Sequence, residues 1–194
     1  MKGNKNIVLV GGGGHCKSVM DVAESAGYTI LGVLDKPELV GTSVLDYKVI
    51  GTDDDMPQYV DKAEFVITVG QIKSSALRRK LAQMVKAAGG KLATIIASDA
   101  YVSKYATIGE GTVVMHKAVV NAGAKIGTNC IINAMANIEH DVKVGDFCHV
   151  STGVMANGEV KIGDDAFIGS GSVIHQCVTI EHNSVIPAGS VVKK

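Results

Sequence analysis

The strongest constraint on this fold is a six-residue repeat that runs through the second half of the chain. Stepping by six from Val102 to Val192 gives sixteen positions, and all of them except Ala156 are Ile or Val. The residue two places earlier is often small or β-branched, as at Ala106, Thr112, Ala118, Ala124, Cys130, Ala136, Val142 and Cys148. This period is typical of a parallel β-helix built from hexapeptides.

The repeat also predicts how the coils stack. Each unit forms a short strand and a corner, so three hexapeptides close one triangular coil. The Ile and Val side chains point inward and stack on those of the next coil, because a single coil cannot bury its apolar faces alone. Glycine directly follows the inward residue of one face in four successive coils, at Gly109, Gly127, Gly145 and Gly163. The period itself leaves the handedness of the coil open.

Residues 1–97 lack this repeat and alternate apolar strands with amphipathic segments. The strand KNIVLV precedes the glycine turn Gly11–Gly14, and a second strand ends at Asp35. A buried strand in AEFVITVG, a helix in SSALRRKLAQMVKAAGG and a further strand in KLATII follow. This alternation predicts a Rossmann-like α/β domain with a small parallel sheet over residues 1–97. We expect the β-helix to occupy residues 98–194.

The glycine turn offers backbone N–H groups at a helix N-terminus, where a phosphate can bind. A complete dinucleotide fingerprint needs a third glycine at position 16, which is Cys16 here. A mononucleotide or a nucleotide-sugar is therefore favoured over a dinucleotide. Asp35 is placed to accept hydrogen bonds from a ribose or sugar hydroxyl. A tight turn without any ligand explains the same residues equally well.

Composition excludes several functions. The 19 basic and 19 acidic residues give a formal charge of zero, without a basic block that predicts nucleic-acid binding. The apolar runs are too short for a membrane span or a signal-peptide core. The four cysteines lack CxxC spacing, so we expect reduced thiols in a cytoplasmic protein, three of them filling the core.

One histidine stands between two carboxylates in the stretch Asn137–Gly145, which reads NIEHDVKVG. His140 falls at a corner, so its ring should point out of the coil. Glu139 and Asp141 could accept a proton from one ring nitrogen and raise the basicity of the other. Gly158, one coil further on, leaves space above the ring. A solvated surface histidine is the simpler alternative.

The other histidines do not predict a metal site. None of the six has HxxH or HxxxxH spacing, and no two of them stand one full coil apart. His149 follows His140 by half a coil, so the two rings should occupy different faces of one molecule. They could meet only across subunits, and β-helix prisms commonly form trimers through flat faces.

Three stretches together resemble the bacterial sugar acetyltransferases of the hexapeptide class: VGGGGHCKSVMD, the strand ending LD at Asp35, and NIEHDVKVGDFCHVSTG. This family includes UDP-4-amino-sugar N-acetyltransferases of bacillosamine synthesis, perosamine N-acetyltransferases and sialic acid O-acetyltransferase-like proteins. The resemblance spans nearly the whole chain. It implies a left-handed coil, acetyl-CoA as co-substrate without a metal, and a homotrimer with its active site at the subunit interface.

The resemblance also implies a reaction and residue roles. The chain would N-acetylate a UDP-4-amino-4,6-dideoxy sugar, with His140 as general base and Asp141 or Glu139 orienting it. The coenzyme would contact His149, Gly158, Gly169, Ser170 and Gly171. The nucleotide-sugar would contact Gly13, Gly14, His15, Asp35, Gly70, Gln71 and Asn133.

Two other interpretations stay open at this point. One is O-acetylation of a sialic acid or of another sugar hydroxyl. The other is a non-catalytic subunit that binds a nucleotide-sugar and scaffolds a glycan pathway. A zinc hydratase is disfavoured by the histidine spacing.

Overall fold

The computed structural model describes residues 6–193. They divide into two compact units. The first unit comprises the chain up to Gly70 together with Ala76–Ile95, and the second comprises Gln71–Ser75 and the chain from Ile96 onward. The chain thus leaves the first unit for a short segment and returns to it before the second unit begins.

The first unit is a five-stranded sheet with two α-helices. Its strands are β1 (Asn6–Val10), β2 (Thr29–Leu34), β3 (Ser43–Val44), β4 (Tyr47–Gly51) and β5 (Glu64–Ile67). Its helices are α1 (Gly14–Ser25), α2 (Ala76–Ala87) and the 3₁₀ helices Pro37–Leu39 and Asp53–Gln58. The strand order is β3-β4-β2-β1-β5, parallel throughout except between β3 and β4. The predicted parallel sheet is confirmed, with an antiparallel edge strand that the sequence pattern did not indicate.

The interior strand β1, which pairs with β2 and β5, explains why this sheet forms. Four consecutive residues of β1, Ile7 to Val10, are completely buried, as expected for a parallel strand covered on both faces. Helix α1 buries one stripe of side chains at helical spacing, made of Cys16, Val19, Met20, Val22 and Ala23. Gly11, which follows β1, has φ +100°, and a Cβ there would lie 2.5 Å from the Val69 side chain. Only glycine fits this turn.

The strand predicted in KLATII does not join this sheet as a strand. Leu92 forms a single parallel bridge with Phe65, and the strand β6 (Ile95–Ile96) is instead an edge strand of a β-helix sheet, beside β9. The physical reason is that Ile96 stands one hexapeptide before Val102, so it already obeys the period of the β-helix.

Up to residue 193, the second unit contains sixteen further two-residue strands. They are β7 (Tyr101–Val102), β8 (Thr107–Ile108), β9 (Val113–Val114), β10 (Val119–Val120), β11 (Lys125–Ile126), β12 (Ile131–Ile132), β13 (Asn137–Ile138), β14 (Lys143–Val144), β15 (His149–Val150), β16 (Met155–Ala156), β17 (Lys161–Ile162), β18 (Phe167–Ile168), β19 (Val173–Ile174), β20 (Thr179–Ile180), β21 (Val185–Ile186) and β22 (Val191–Val192).

These strands form three parallel sheets, one for each face of a left-handed β-helix. Face 1 contains β7, β10, β13, β16, β19 and β22; face 2 contains β8, β11, β14, β17 and β20; face 3 contains β6, β9, β12, β15, β18 and β21. Each strand pairs with an equivalent strand three hexapeptides away in the chain, as in Val120 with Ile138. The predicted coil length is confirmed.

The core of the β-helix is a stack of the repeat residues. Ile132, Ile138, Val150 and their equivalents form one buried cluster with the small residues that precede them. The stacked glycines of face 2 have no room for a side chain, since a Cβ on Gly145 would lie 2.7 Å from the backbone nitrogen of Asp164. Close approach of successive coils therefore accounts for the glycine column.

The cysteines behave as expected. Cys16, Cys130 and Cys148 are buried and free, and Cys177 is exposed and free. Burial raises the pKa of the Cys16 thiol to about 11, so it stays protonated at neutral pH. Three of the four thiols thus serve as small core side chains.

Within residues 6–193, no helix is long and apolar enough to cross a lipid bilayer.

Replacing Ile132 by Ala should destabilise the β-helix by about 2–5 kcal/mol, because the substitution leaves a cavity between two coils. Ile132 is fully buried and pairs with Val114 below and Val150 above. The matched control is Ile72→Ala, since Ile72 is 62% exposed; it should change stability by less than about 0.5 kcal/mol. Urea denaturation measures both, and equal effects of the two variants would contradict the stacked core.

Candidate active site

His140 lies at the corner that follows β13. The chain turns there through Asp141, which has φ +61°, and the same left-handed conformation recurs one coil away at Glu159 and two coils away at Cys177. Asp tolerates this conformation better than most residues do. The His140 side chain is 61% exposed. The ring therefore stands outside the β-helix, as the repeat predicts.

Asp141 is the carboxylate that contacts the His140 ring. Nδ1 of His140 lies 3.0 Å from Oδ2 of Asp141. This hydrogen bond is the main cause that raises the pKa of His140 above its ordinary value of 6.5, and the charges of Asp141, Glu139 and Glu159 add to it. With the proton on Nδ1 held by Asp141, Nε2 is left with a lone pair that can accept another proton.

Glu139 is engaged elsewhere. Its Oε2 accepts a hydrogen bond from Nδ2 of Asn121 at 2.9 Å, and its Oε1 accepts one from Nδ2 of Asn137, also at 2.9 Å. The two carboxylates that flank His140 thus have different partners. Asp141 orients the imidazole, while two asparagine amides hold Glu139.

His140 borders an open cavity of about 490 Å³. The cavity is lined by Glu139, His140, Asn157, Gly158, His175 and Gln176. A Cβ on Gly158 would lie 2.7 Å from both Cε1 and Nε2 of His140, so the ring occupies the space that glycine leaves. Among residues 6–193, no acceptor receives a hydrogen bond from the Gly158 N–H. His140 and Gly158, whose N–H is free among the described residues, therefore line the same cavity.

His149, which is predicted to face the coenzyme in a groove between two subunits, is only 8% exposed within one chain. Its Nδ1 lies 2.7 Å from the carbonyl oxygen of Gln71, and its Nε2 lies 3.0 Å from Nδ2 of Asn133. The imidazole also packs edge-on against Phe167, with 5.2 Å between ring centres.

The hydrogen bonds of His149 define its tautomer. Oδ1 of Asn133 accepts a hydrogen bond from the Ala134 N–H, which identifies Nδ2 of Asn133 as the donor to the ring. Nε2 of His149 is then the acceptor, and Nδ1 carries the proton that it donates to Gln71. The neutral imidazole thus fastens the segment Gln71–Ser75 to the β-helix, and Ser75 assists by donating to the Asp165 carboxylate.

Gly169, Ser170 and Gly171, which were expected to contact the coenzyme, lie at a different corner from His140. This corner follows β18, whereas His140 follows β13. The Ser170 hydroxyl is 2.8 Å from the Ser151 hydroxyl, and a Cβ on Gly169 would clash with the backbone of the next coil. One chain does not bring these residues together with His140.

The glycine turn and Asp35 meet at the carboxyl end of the first unit's sheet. The Gly12 N–H donates to Oδ2 of Asp35 at 2.5 Å, and the Lys36 N–H donates to Oδ1 at 2.8 Å. Asp35 therefore stabilises the glycine turn through these hydrogen bonds, and it also lines a cavity described below. A Cβ on Gly70 would lie 3.6 Å from Cβ of His15, so the turns after β1 and β5 also converge.

The remaining predicted glycines of this turn face open space. No atom lies within 4 Å of a Cβ placed on Gly13 or Gly14. Gly13 is the N-cap of α1 and supplies no side-chain cap. Gly13 and Gly14 are exposed, and a phosphate bound at a helix start needs accessible backbone there.

A second cavity, of about 320 Å³, lies in the first unit at the carboxyl ends of the parallel strands. Here the chain passes from one side of β1 to the other, which is where open α/β sheets bind ligands. The lining residues are Gly11, Asp35, Lys36, Pro37, Thr52, Asp53, Asp54, Val69, Leu77, Lys80, Leu81 and Met84.

Most of this lining was not predicted from the sequence. Thr52, Asp53 and Asp54 follow β4, and Lys36 follows β2; their position directly after strands was the available signal. Burial is the main cause that raises the pKa of Asp53, with the nearby charge of Asp35 adding to it and that of Lys80 opposing it. The cavity combines acidic, basic and apolar side chains in one small volume.

In residues 6–193, no three His, Cys, Asp or Glu side chains are grouped closely enough to hold a metal ion.

Two family models match the chain. The PglD N-terminal domain matches residues 6–85, and the bacterial transferase hexapeptide model matches residues 105–140 and 159–194. A comparison with curated protein sequences gave no match.

Solved structures match over both units. A histidine-to-asparagine variant of perosamine N-acetyltransferase from Caulobacter crescentus, in complex with CoA and GDP-perosamine, is 30% identical with a TM-score of 0.90, and the match covers 100% of this chain and 90% of that one. The acetyltransferase domain of PglB from Neisseria gonorrhoeae, in complex with acetyl coenzyme A, is 33% identical with a TM-score of 0.91, covering 98% and 92%. WeeI from Acinetobacter baumannii shares the fold at 22% identity and a TM-score of 0.76, covering 98% and 97%.

Three observations indicate the same family. They are the sequence identity over nearly the full length of both chains, the two family models, and the position of His140 at a corner of the β-helix. The chain therefore belongs to the hexapeptide-repeat family of acetyl-CoA-dependent sugar N-acetyltransferases.

Proposed function

We propose that this enzyme transfers the acetyl group of acetyl-CoA to the amine of a nucleotide-linked 4-amino-4,6-dideoxy sugar, with His140 as general base. The observation that carries the proposal is that His140, paired with Asp141 through Nδ1, and Gly158 line one cavity, with Nε2 of His140 2.7 Å from the position of a Cβ on Gly158. UDP is the nucleotide implied by the resemblance to the enzymes of bacillosamine synthesis. GDP is the nucleotide in the complex of the Caulobacter relative.

The proposed chemistry needs a base, an oxyanion partner and two aligned substrates. Nε2 of His140 takes a proton from the sugar amine as the nitrogen attacks the thioester carbonyl. The Gly158 N–H donates to the oxygen that becomes negative, and CoA leaves as the thiol. Alignment of the substrates lowers the barrier by roughly 7–11 kcal/mol, and a positioned base contributes roughly a hundred- to ten-thousand-fold in rate.

The first unit is proposed to hold the nucleotide part of the acceptor. Its cavity is lined by Gly11 of the glycine turn and by Asp35 and Lys36. Leu77 and Met84 supply an apolar wall, which suits the flat face of a base.

The enzyme is proposed to act as a homotrimer with the active site between subunits. Face 1, which leads into the His140 corner, exposes apolar side chains along its outer surface. Tyr101 is 57%, Met155 41% and Val191 58% exposed, and an apolar stripe on a flat face favours burial against another copy. In such an assembly the corner of Ser170 in one subunit can approach His140 of its neighbour. Two neighbouring subunits would then form the coenzyme groove together, which one chain does not form by itself.

The direct test is release of free thiol from acetyl-CoA with a panel of acceptors. UDP- and GDP-linked 4-amino-4,6-dideoxy sugars should support turnover, while sialic acid and the matching 4-hydroxy sugars should not.

His140→Ala should lower kcat by about a hundredfold, near the lower end for loss of a general base, because a neutral amine is itself a good nucleophile.

The control is His182→Ala, which removes an exposed histidine from a different corner and should leave kcat nearly unchanged. Turnover with sialic acid would favour the O-acetyltransferase interpretation. Nucleotide-sugar binding without thiol release would favour the non-catalytic one. Unchanged kcat in His140→Ala would contradict the base assignment.

The pH profile should report the His140–Asp141 pair. The base must be neutral, and its pKa is raised, so activity should fall as pH drops through a value above the ordinary 6.5 of histidine. Asp141→Asn removes the charge but keeps a residue that accepts the left-handed turn conformation. The acidic limb of kcat/KM should then move to lower pH, while Glu159→Gln, the weakest contributor, should move it less. A limb that stays in place in Asp141→Asn would contradict the pairing.

A further inference from the structure

The carboxylate on the other side of His140 has no role in the proton transfer described above. Glu139 accepts hydrogen bonds from Asn121 and Asn137 rather than from the imidazole. Two amide side chains, one from the preceding coil and one from β13, hold this group still. Such fixation is expected of a group that must present a charge in one direction.

The two amides leave part of the carboxylate available. An ionised carboxylate has about four acceptor sites, and each oxygen of Glu139 uses one of them on an asparagine. Glu139 also lines the cavity that His140 and Gly158 line. Its remaining acceptor capacity is therefore open to a molecule bound there.

The rest of the cavity lining is formally neutral. Besides Glu139, the lining comprises three residues without ionisable side chains and two histidines, one of which must be neutral to act as base. No Lys or Arg stands on this lining to neutralise the carboxylate. The cavity thus has a negative charge at a fixed place and nothing on its wall to balance it.

We propose that Glu139 recognises the protonated amine of the acceptor and so selects amino sugars over hydroxyl sugars. This rests on the proposed function and names the residue that makes the site specific for an amine. A sugar ammonium bears a positive charge and three donors, whereas the corresponding hydroxyl has no charge and one donor. A charge-assisted hydrogen bond to a fixed carboxylate therefore favours the amine.

Proton transfer follows from this binding mode. The ammonium binds to Glu139 and releases one proton to solvent through the open cavity. The neutral nitrogen forms the C–N bond with the thioester carbon and gives its second proton to Nε2 of His140. As the C–S bond breaks, His140 passes that proton to the departing thiolate. Ammonium and acetyl-CoA thus give the amide, CoA thiol and one proton.

The test compares Glu139→Gln with Glu159→Gln. Both variants remove one carboxylate near His140, but Glu159 is not part of the cavity lining. Equilibrium binding of the 4-amino and 4-hydroxy nucleotide-sugars is measured by calorimetry without acetyl-CoA. Steady-state kinetics then give KM for both substrates, and thermal unfolding checks that the fold is intact.

Glu139→Gln should weaken binding of the amino sugar and raise its KM by about tenfold or more, the effect expected for loss of a charged hydrogen bond. Binding of the hydroxy sugar and KM for acetyl-CoA should stay unchanged, so the preference for the amine falls by the same factor. Glu159→Gln should keep the preference. Glu139→Asp, which retains the charge on a shorter side chain, should recover part of the lost affinity.

Three results would overturn this role. Unchanged amine binding in Glu139→Gln would show that the carboxylate does not contact the acceptor. Loss of kcat with unchanged KM would show that Glu139 only supports the position of His140. A wild-type enzyme that binds amino and hydroxy sugars equally would also overturn it. Failure of the proposed function is a separate outcome, seen as absence of thiol release by the wild-type enzyme with every amine acceptor.

Discussion

The stacking of inward Ile and Val side chains from one coil to the next is the constraint on which the rest of this molecule depends. Because every strand pairs with the one a full coil away, the position of each outward side chain is determined by its place in the repeat. His140 and Gly158 meet at one corner for this reason alone. A shift of the register by one residue would turn the inward side chains outward and would separate them. The chemistry of the site is therefore built on the packing of the core.

The same register gives residues of similar type different partners and different burial. Glu139 and Asp141 are both next to His140, but the corner sends Asp141 toward the imidazole and leaves Glu139 beside two asparagines. The sequence predicts an active-site position for both His140 and His149. One is exposed with a raised pKa, and the other is a buried neutral ring that fastens Gln71 to the β-helix. Environment, rather than residue type, therefore distinguishes the two imidazoles.

Much of this was predictable from the sequence, and the limits have physical causes. The period of six and the column of glycines determine the β-helix, since both follow from local packing between successive coils. The alternation of apolar strands with helices similarly predicts the first unit. The repeat that begins at Val102 does not predict the sheet of β6, although Ile96 already satisfies the period of six. The hairpin of β3 and β4 carries no long apolar pattern that would have revealed it.

The site was only partly predictable for a related reason. His140 and the two flanking carboxylates are adjacent in the chain, so they can be recognised as a group from the sequence. The lining of the cavity in the first unit comes from segments after β1, β2, β4 and β5 and from α2, which only the folded sheet brings together. The burial of His149 depends on its hydrogen bond to Gln71, which lies far earlier in the chain. Long-range contacts of this kind leave no periodic signal.

The central claim is that Nε2 of His140 removes a proton from the acceptor amine while the acyl donor lies beside it. The most direct measurement is a crystal structure of the enzyme with CoA and its amino-sugar acceptor bound together. The acceptor nitrogen should lie within hydrogen-bond distance of Nε2, about 2.6–3.2 Å, with the coenzyme thiol next to that nitrogen. An acceptor nitrogen far from the His140 ring, or coenzyme bound at a corner without His140, would contradict the claim.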